Sequence, residues 1–276
     1  MTVLVLGGTG FLGRFLCAEL RRQGAVVLSA SRRGAGDLTV DLAAPANLTA
    51  ELSEMMSGVD VVVNLVGLSP IRGYSRSEYL AVQYRGALAA AAAAAAAGVV
   101  RLVHVSALGV HRHSAAPYAR SKALARRALL PPSAAPRPPQ VIIPELALLT
   151  GHEGEIARSL RRLAGVARAF GFAIPVPLPR FSTLFQPVAV EDAARRIAGL
   201  ALEGKGRDTV GVTVEIVGPR VLSMSAIAAE YLEAHNVPVF YLPRQFTPPL
   251  VWLLSRIPLP GFPRHLDEML ALRSTG

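Results

Sequence analysis

The sequence predicts an α/β fold: a doubly wound parallel sheet with helices on both faces, followed by a small C-terminal lobe. Two observations carry that reading. Thr2 to Leu6 (TVLVL) is a β-branched and leucine run, the composition of a strand buried on both faces. It runs directly into Gly7-Gly8-Thr9-Gly10-Phe11-Leu12-Gly13, and then into apolar residues at Phe11, Leu12, Phe15, Leu16 and Leu20, which have helical spacing. Short apolar runs and helical patterns follow one another along the rest of the chain.

The glycine turn has the makings of an anion site, because unpaired backbone N–H groups and the helix dipole converge on one point. Gly7 allows the tight turn, Gly10 lets a pyrophosphate approach the backbone, and Gly13 lets the helix pack closely on the strand. Thr9, Phe11 and Leu12 lie in the same loop and complete the expected contacts. With the strand before it and the helix after it, the motif points to dinucleotide binding and a Rossmann-type sheet.

The later elements follow in order. Ala25 to Ala30 (AVVLSA) reads as the second strand, with Ser31-Arg32-Arg33-Gly34 behind it. NAD-preferring folds place an acidic residue here for the ribose 2′-hydroxyl, whereas a hydroxyl and two guanidiniums suit a 2′-phosphate. NADPH is therefore the expected cofactor; otherwise Arg32 and Arg33 are simply solvated loop charges. Leu38 to Leu42 (LTVDL) is a short third strand that ends with Asp41 and Leu42 near the adenine. Leu48 to Met56 is a short helix. Val59 to Gly67 (VDVVVNLVG) is the fourth strand, and Asn64, Val66 and Gly67 fall towards its end, where the ligand crevice opens. There Asn64 either meets the cofactor or braces the next strand. Glu78 to Ala97 is a long, alanine-rich helix stopped by Gly98.

Val99 to Val105 is the fifth strand, Ser106 sits at its end, and Tyr118 to Leu130 is helical. Pro131 to Pro139 interrupts the chain before the apolar strand Val141 to Leu149. Glu153 to Phe170 is a basic amphipathic helix and Phe172 to Phe185 is extended. Gln186 to Val190 leads into the helix Glu191 to Leu202, Thr209 to Val217 is strand-like, and Ser223 to His235 is helical. The tail from Val237 to Pro260 is apolar, proline-rich and contains Trp252. Residues 1–145 are thus expected to form the dinucleotide-binding core. Residues 146–276 supply the remaining sheet elements and the lobe, within one integrated domain.

Composition narrows the function. A chain of 276 residues that is 51% hydrophobic can bury a sizeable core. Its longest apolar runs fall short of the roughly 20 residues of a membrane span. A first strand at residue 2 leads us to expect no secretory signal. The net charge of +10 is spread over many segments, with few aromatics among the arginines and no nucleic-acid motif. An anionic cofactor, an acidic protein partner or an anionic membrane surface accounts for it better. Arg158, Arg161, Arg162 and Arg168 are either a solvated helix face or the contact for such a partner. The segment Pro248 to Pro260 either packs internally or touches a membrane or apolar groove. Cys17 and His104 are expected in the core, His111 and His113 in a loop, and no metal set is expected.

Ser106, Tyr118 and Lys122 are the groups suited to hydride chemistry. The i, i+4 spacing puts Tyr118 and Lys122 on one helical face. A tyrosine hydroxyl near pKa about 10 is a poor acid at neutral pH, and an ammonium beside it is expected to lower that value. Ser106 is suited to hold a carbonyl, and Lys122 to reach the nicotinamide ribose.

GGTGFLG, NLVG at Asn64 to Gly67, Ser106 and YARSK at Tyr118 to Lys122 resemble the short-chain dehydrogenase/reductase superfamily, in its extended and atypical branch. VVVNLVG, LVHVSALG, YARSKA, LLTGHEGEI, FQPVAVEDAARRI and EIVGPR, in that order, resemble the nucleotide-binding accessory subunits of respiratory complex I. The resemblance implies a tightly held NADPH in a peripheral subunit on the matrix side of the mitochondrial inner membrane. It further implies contacts with other complex I subunits, a role in assembly and stability rather than turnover, and a Ser106–Tyr118–Lys122 set that need not be catalytic. The alternative is a soluble, cytoplasmic NADPH-dependent reductase of a carbonyl or quinone, with Tyr118 as proton donor. In this branch the strand Val141 to Leu149 usually carries an Arg-Pro pair near the substrate pocket. Here the chain reads Pro144-Glu145-Leu146, which argues against a shared substrate.

Overall fold

The computed structural model describes residues 1–44, 47–130, 139–169, 176–178, 184–203 and 211–241. The first half runs β1 (Thr2–Leu6), α1 (Phe11–Arg22), β2 (Val26–Ser31), β3 (Leu38–Thr39), α2 (Leu48–Met55) and β4 (Val61–Asn64). The next helix starts as α3 (Arg76–Tyr79), widens into a π-type stretch over Leu80–Arg85, and continues as α4 (Gly86–Ala96). β5 (Arg101–His104), β6 (Ser106–Ala107), α5 (Pro117–Leu129) and β7 (Gln140–Leu146) follow. Beyond them come β8 (Leu149–Thr150), α6 (Glu155–Ala169), β9 (Val176–Leu178), β10 (Leu184–Phe185), β11 (Val188–Ala189) and α7 (Val190–Leu202). The last described elements are β12 (Val212–Ile216), β13 (Leu222–Ser223), α8 (Met224–Ala234) and β14 (Val239–Tyr241).

The main sheet is parallel in the order β12-β7-β5-β4-β1-β2-β3, with β6 also on β7. Strand order reverses at β1, between β2 and β4, and a crevice opens beyond the carboxyl ends of strands at such a point. Side chains of β1 alternate between two cores. Val3 and Val5 pack with α1 and α7 on one face, and Leu4 and Leu6 pack with α2 and α4 on the other. All four are fully buried, as a strand covered on both faces requires. A small separate core joins α6, β9, α8 and β14 through Ala164, Leu178, Leu232 and Val239.

Several strands are shorter than their apolar runs, β5 among them at both ends. β3 stops at Thr39 because the chain turns at Asp41, whose carboxylate accepts from Ala43 N at 2.9 Å. β4 ends at Asn64, where Asn64 Oδ1 accepts from Val66 N at 3.0 Å and bends the backbone away from the sheet. β7 ends at Leu146, and Leu149–Thr150 pairs instead with β11. The interruption over residues 131–138, Trp252 and the tail beyond residue 241 lie outside the described residues.

One buried cation ties the sheet to α7. Arg101 in β5 is 7% exposed, and its Nη1 donates to the carbonyls of Leu200, Ala201 and Glu203 at the end of α7. Those carbonyls have no intrahelical donor, so the guanidinium caps the helix and complements its dipole. Nε is held by Gln140 Oε1 at 2.9 Å.

Candidate functional site

The glycine turn is built as its sequence demands. Gly7 has φ +83°, and its N–H donates to Ala30 O at 2.8 Å, stitching the turn to β2. At Gly13 a Cβ would lie 2.2 Å from Gly7 O, so α1 packs against the turn only with glycine there. Gly10 is the N-cap of α1, and no side chain caps that helix. Its first-turn N–H groups therefore face the crevice as an anion cradle. Thr9 is half-buried, Gly10 exposed, and Leu12 buried. Val66 rests against Gly7, where a Cβ would be 3.4 Å from Val66 Cγ2.

At the end of β2, Ser31 is buried and accepts from Ala35 N at 3.2 Å, while Arg32 and Arg33 are exposed. In the loop after β2, Asp37 accepts from Ser29 N at 2.7 Å and from Ser29 Oγ at 2.9 Å. Those bonds hold its carboxyl below the usual range. Asp41 is exposed, and Leu42 is buried in the core beneath α2 and α4. The two arginines are thus available to an anion at this corner.

Ser106, Tyr118 and Lys122 come together on the wall of a cleft of about 500 Å³. Phe11, Leu12 and Gly67 line the same cleft, so the first turn of α1 and the end of β4 share it with them. Ser31, Arg32, Arg33, Asp41, Leu42, Asn64 and Val66 do not line it. Ser106 is 2% exposed, and its Oγ has no hydrogen-bond partner. Lys122 Nζ donates to Val105 O at 2.8 Å, and burial lowers its pKa to about 8. The expectation for Tyr118 is reversed: burial pushes its hydroxyl up to about 12. Desolvation disfavours the phenolate, and no contribution from Lys122 offsets it. His104 lies under this site, fully enclosed, with both ring nitrogens unpartnered. Burial, and to a lesser degree the charge of Lys122, lowers its pKa to about 3, so it is neutral.

Several organising residues carry no short-range sequence signal. Gln83, in the π-type stretch, accepts from Leu68 N at 2.9 Å and donates to Ser121 Oγ at 2.7 Å and Tyr118 O at 3.3 Å. It fixes the loop after β4 relative to α5. Glu155, in the first turn of α6, accepts from Ser69 Oγ and from Arg72 Nε, the latter at 2.7 Å. Both partners lie in the loop after β4, so Glu155 joins two rims of the cleft. Glu153 pairs with Arg14 on α1, and the Phe11 ring lies against Gly151 and Gly154. Residues 151–155 are thereby pinned to the first turn of α1. A glutamine in an otherwise apolar helical run is the only local hint of any of this.

Glu145, where the resembling branch carries arginine, is 8% exposed and paired with Arg126, which also donates to Val110 O at 3.3 Å. It does not line the cleft. Among the described residues no group of three His, Cys, Asp or Glu side chains is placed to hold a metal, and Cys17 is buried.

Known proteins resemble this chain in sequence and in fold. The chain is 28% identical over 290 residues to NADH dehydrogenase (ubiquinone) 1 alpha subcomplex subunit 9, mitochondrial, of Arabidopsis thaliana, covering 97% of this chain and 68% of that protein. The rat protein of the same name is 30% identical over 228 residues, covering 78% of this chain but 56% of its own length. Among solved structures, the UDP-glucose 4-epimerase of Thermus thermophilus in complex with NAD superposes with a TM-score of 0.67 at 17% identity. That match covers 88% of this chain and 86% of the epimerase, and it establishes the fold. The model of the NAD dependent epimerase/dehydratase family matches residues 3–135, from β1 to beyond α5. With its glycine turn, its switch point and its Ser106–Tyr118–Lys122 wall, the chain is similar over those residues to the NAD dependent epimerase/dehydratase family.

Proposed function

We propose that this protein is an NADPH-binding accessory subunit of mitochondrial complex I, peripheral to the inner membrane on the matrix side. In this reading the nucleotide stabilises the fold and is not turned over. The observation that carries it is the similarity to plant and rat complex I subunits, which in the plant protein extends over 97% of this chain. Gly7, Gly10 and Gly13 hold the pyrophosphate, Arg32 and Arg33 the 2′-phosphate, and Tyr118 and Lys122 lie at the nicotinamide ribose. The exposed Arg32 and Arg33 after β2 support NADPH over NADH, because guanidiniums suit a 2′-phosphate. A Tyr118 hydroxyl near 12 is a poor proton donor, which supports a quiescent site. Among the described residues no helix is long and apolar enough to cross a membrane, in keeping with peripheral attachment. A ligand that binds only the folded state adds RT ln(1 + [L]/Kd), about 4 kcal/mol at roughly a thousandfold excess over Kd.

The test is the native size of the protein after extraction from its own cells with mild detergent. Comigration with a very large NADH-oxidising assembly, retained in Tyr118→Phe, is the expected result. A small soluble species that consumes NADPH and loses that activity in Tyr118→Phe overturns the reading.

A further inference from the structure

At the end of the main sheet opposite the cleft, four neighbouring strands begin side by side. Val26 opens β2, Thr2 opens β1, Asp60 precedes β4 and Val100 precedes β5. The backbone holds them in one row: Asp60 N donates to Thr2 O at 3.0 Å, and Val100 N to Asp60 O at 3.0 Å. Val26 N donates to the carbonyl of the adjacent Met1 at 3.1 Å. Neighbouring strands lie about 4.8 Å apart, so the row is about 14 Å long. Val26, Met1 and Val100 are 61%, 55% and 56% exposed, and they form a group instead of being scattered singly. The turns that lead into β2, β4 and β5 pass through Gly24, Gly58 and Gly98, where an added Cβ would meet nothing within 4 Å. The surface around the row is therefore of low relief and open to close approach.

The charges at this end select what can cover it. Asp60 is the charged side chain inside the row, exposed, with its Oδ2 accepting from Thr2 N at 2.7 Å. The arginines that border it are engaged within the protein. Arg21 Nη2 donates to Val27 O at 3.3 Å, Arg22 pairs with Glu19, and Arg101 is buried on the end of α7. Although the chain carries a net charge of +10, an anionic lipid surface would meet a carboxylate here. A second copy docked face to face would bring Asp60 against Asp60, and like charges oppose such a contact. We infer that this face docks another protein subunit, one that presents apolar side chains around a lysine or arginine that meets Asp60. This rests on the accessory-subunit reading above and assigns it a docking face, at the end of the sheet that leaves the nucleotide cleft uncovered.

The test is comigration with the large NADH-oxidising assembly, after mild-detergent extraction of cells expressing the full chain as parent, Val26→Arg, Val100→Arg or Asp60→Asn. Each arginine variant is expected to lower the comigrating fraction tenfold or more, since it removes hydrocarbon and repels the partner's cation. Asp60→Asn keeps an acceptor for Thr2 N but loses the charge, and should lower the fraction threefold or more. Thermal transitions check the fold of each variant, and either arginine variant alone suffices if the other fails to fold. Comigration of the arginine variants at the parent's level overturns the docking face, and the same result for Asp60→Asn overturns the partner's cation. Sedimentation of the isolated parent as a dimer that Val100→Arg dissociates gives the face to a second copy. Flotation of the parent with anionic phospholipid vesicles, altered by either arginine variant, gives it to a membrane, and each of these results overturns the inference. A parent that does not comigrate at all overturns the accessory-subunit reading and this docking face with it, a result distinct from loss of the face alone.

Discussion

Gly13 is the glycine of its loop with the least room for a side chain, because a single added carbon meets two backbone oxygens, Gly7 O at 2.2 Å and Gly8 O at 2.6 Å. Gly13→Ala has to push α1 off the turn, and such overpacking costs about 1–3 kcal/mol. A lower melting temperature and loss of NADPH binding by fluorescence titration are expected together. His104 acts on stability through pH. Its pKa is about 3 in the folded protein against 6.5 for an ordinary histidine, so below pH 6.5 the unfolded chain takes up a proton that the native state refuses. Stability from this group is full above pH 6.5 and falls progressively as pH drops towards 3. His104→Leu should flatten that part of the acid limb in urea titrations taken at successive pH values. Unchanged acid sensitivity would show that other groups dominate it. Glycine spacing made the first of these residues legible. The environments of His104 and Tyr118 were not, since desolvation depends on what packs over a group and neither neighbour is close in sequence.

At the scale of elements, the apolar runs and helical spacing located the helices and the strands of the main sheet, while short strands such as β6, β8, β13 and β14 had no such signal. β4 and β7 are shorter than their apolar runs because Asn64 bends the chain away and Leu149 finds another partner in β11. The π-type stretch was invisible, for a widened turn leaves the apolar pattern intact, yet it places Gln83 between the loop after β4 and α5. The capping of α7 by Arg101 was equally hidden, since the contacts span about 100 residues of chain. Removing that guanidinium leaves buried carbonyls without a donor, each costing about 1–3 kcal/mol. Arg101→Met should therefore destabilise the fold by about 3 kcal/mol in chemical denaturation. A cost below about 0.5 kcal/mol would mean that water replaces the guanidinium.

For the molecule as a whole, the nucleotide loop, the chemical wall and the clamp across the cleft come from three distant parts of the chain. The first two announce themselves through local motifs. The clamp is a set of ion pairs and packing contacts, and nothing in a +10 sequence says which arginine meets which carboxylate. Glu155→Ala releases Ser69 and Arg72 together and unties α6 from the loop after β4. NADPH release, followed by fluorescence after dilution, should accelerate about fivefold or more, while surface pairing alone would leave it unchanged.

The same clamp gives the molecule an order of events during synthesis. Arg14 and Glu153 are 139 residues apart in the chain. At about 5–20 residues per second a ribosome needs roughly 7–28 s to travel between them. Throughout that interval the glycine loop and α1 have been made, and residues 151–155, which pack against Phe11 and Arg14, have not. The first turn of α1 therefore stays uncovered on that side until residues 151–155 arrive.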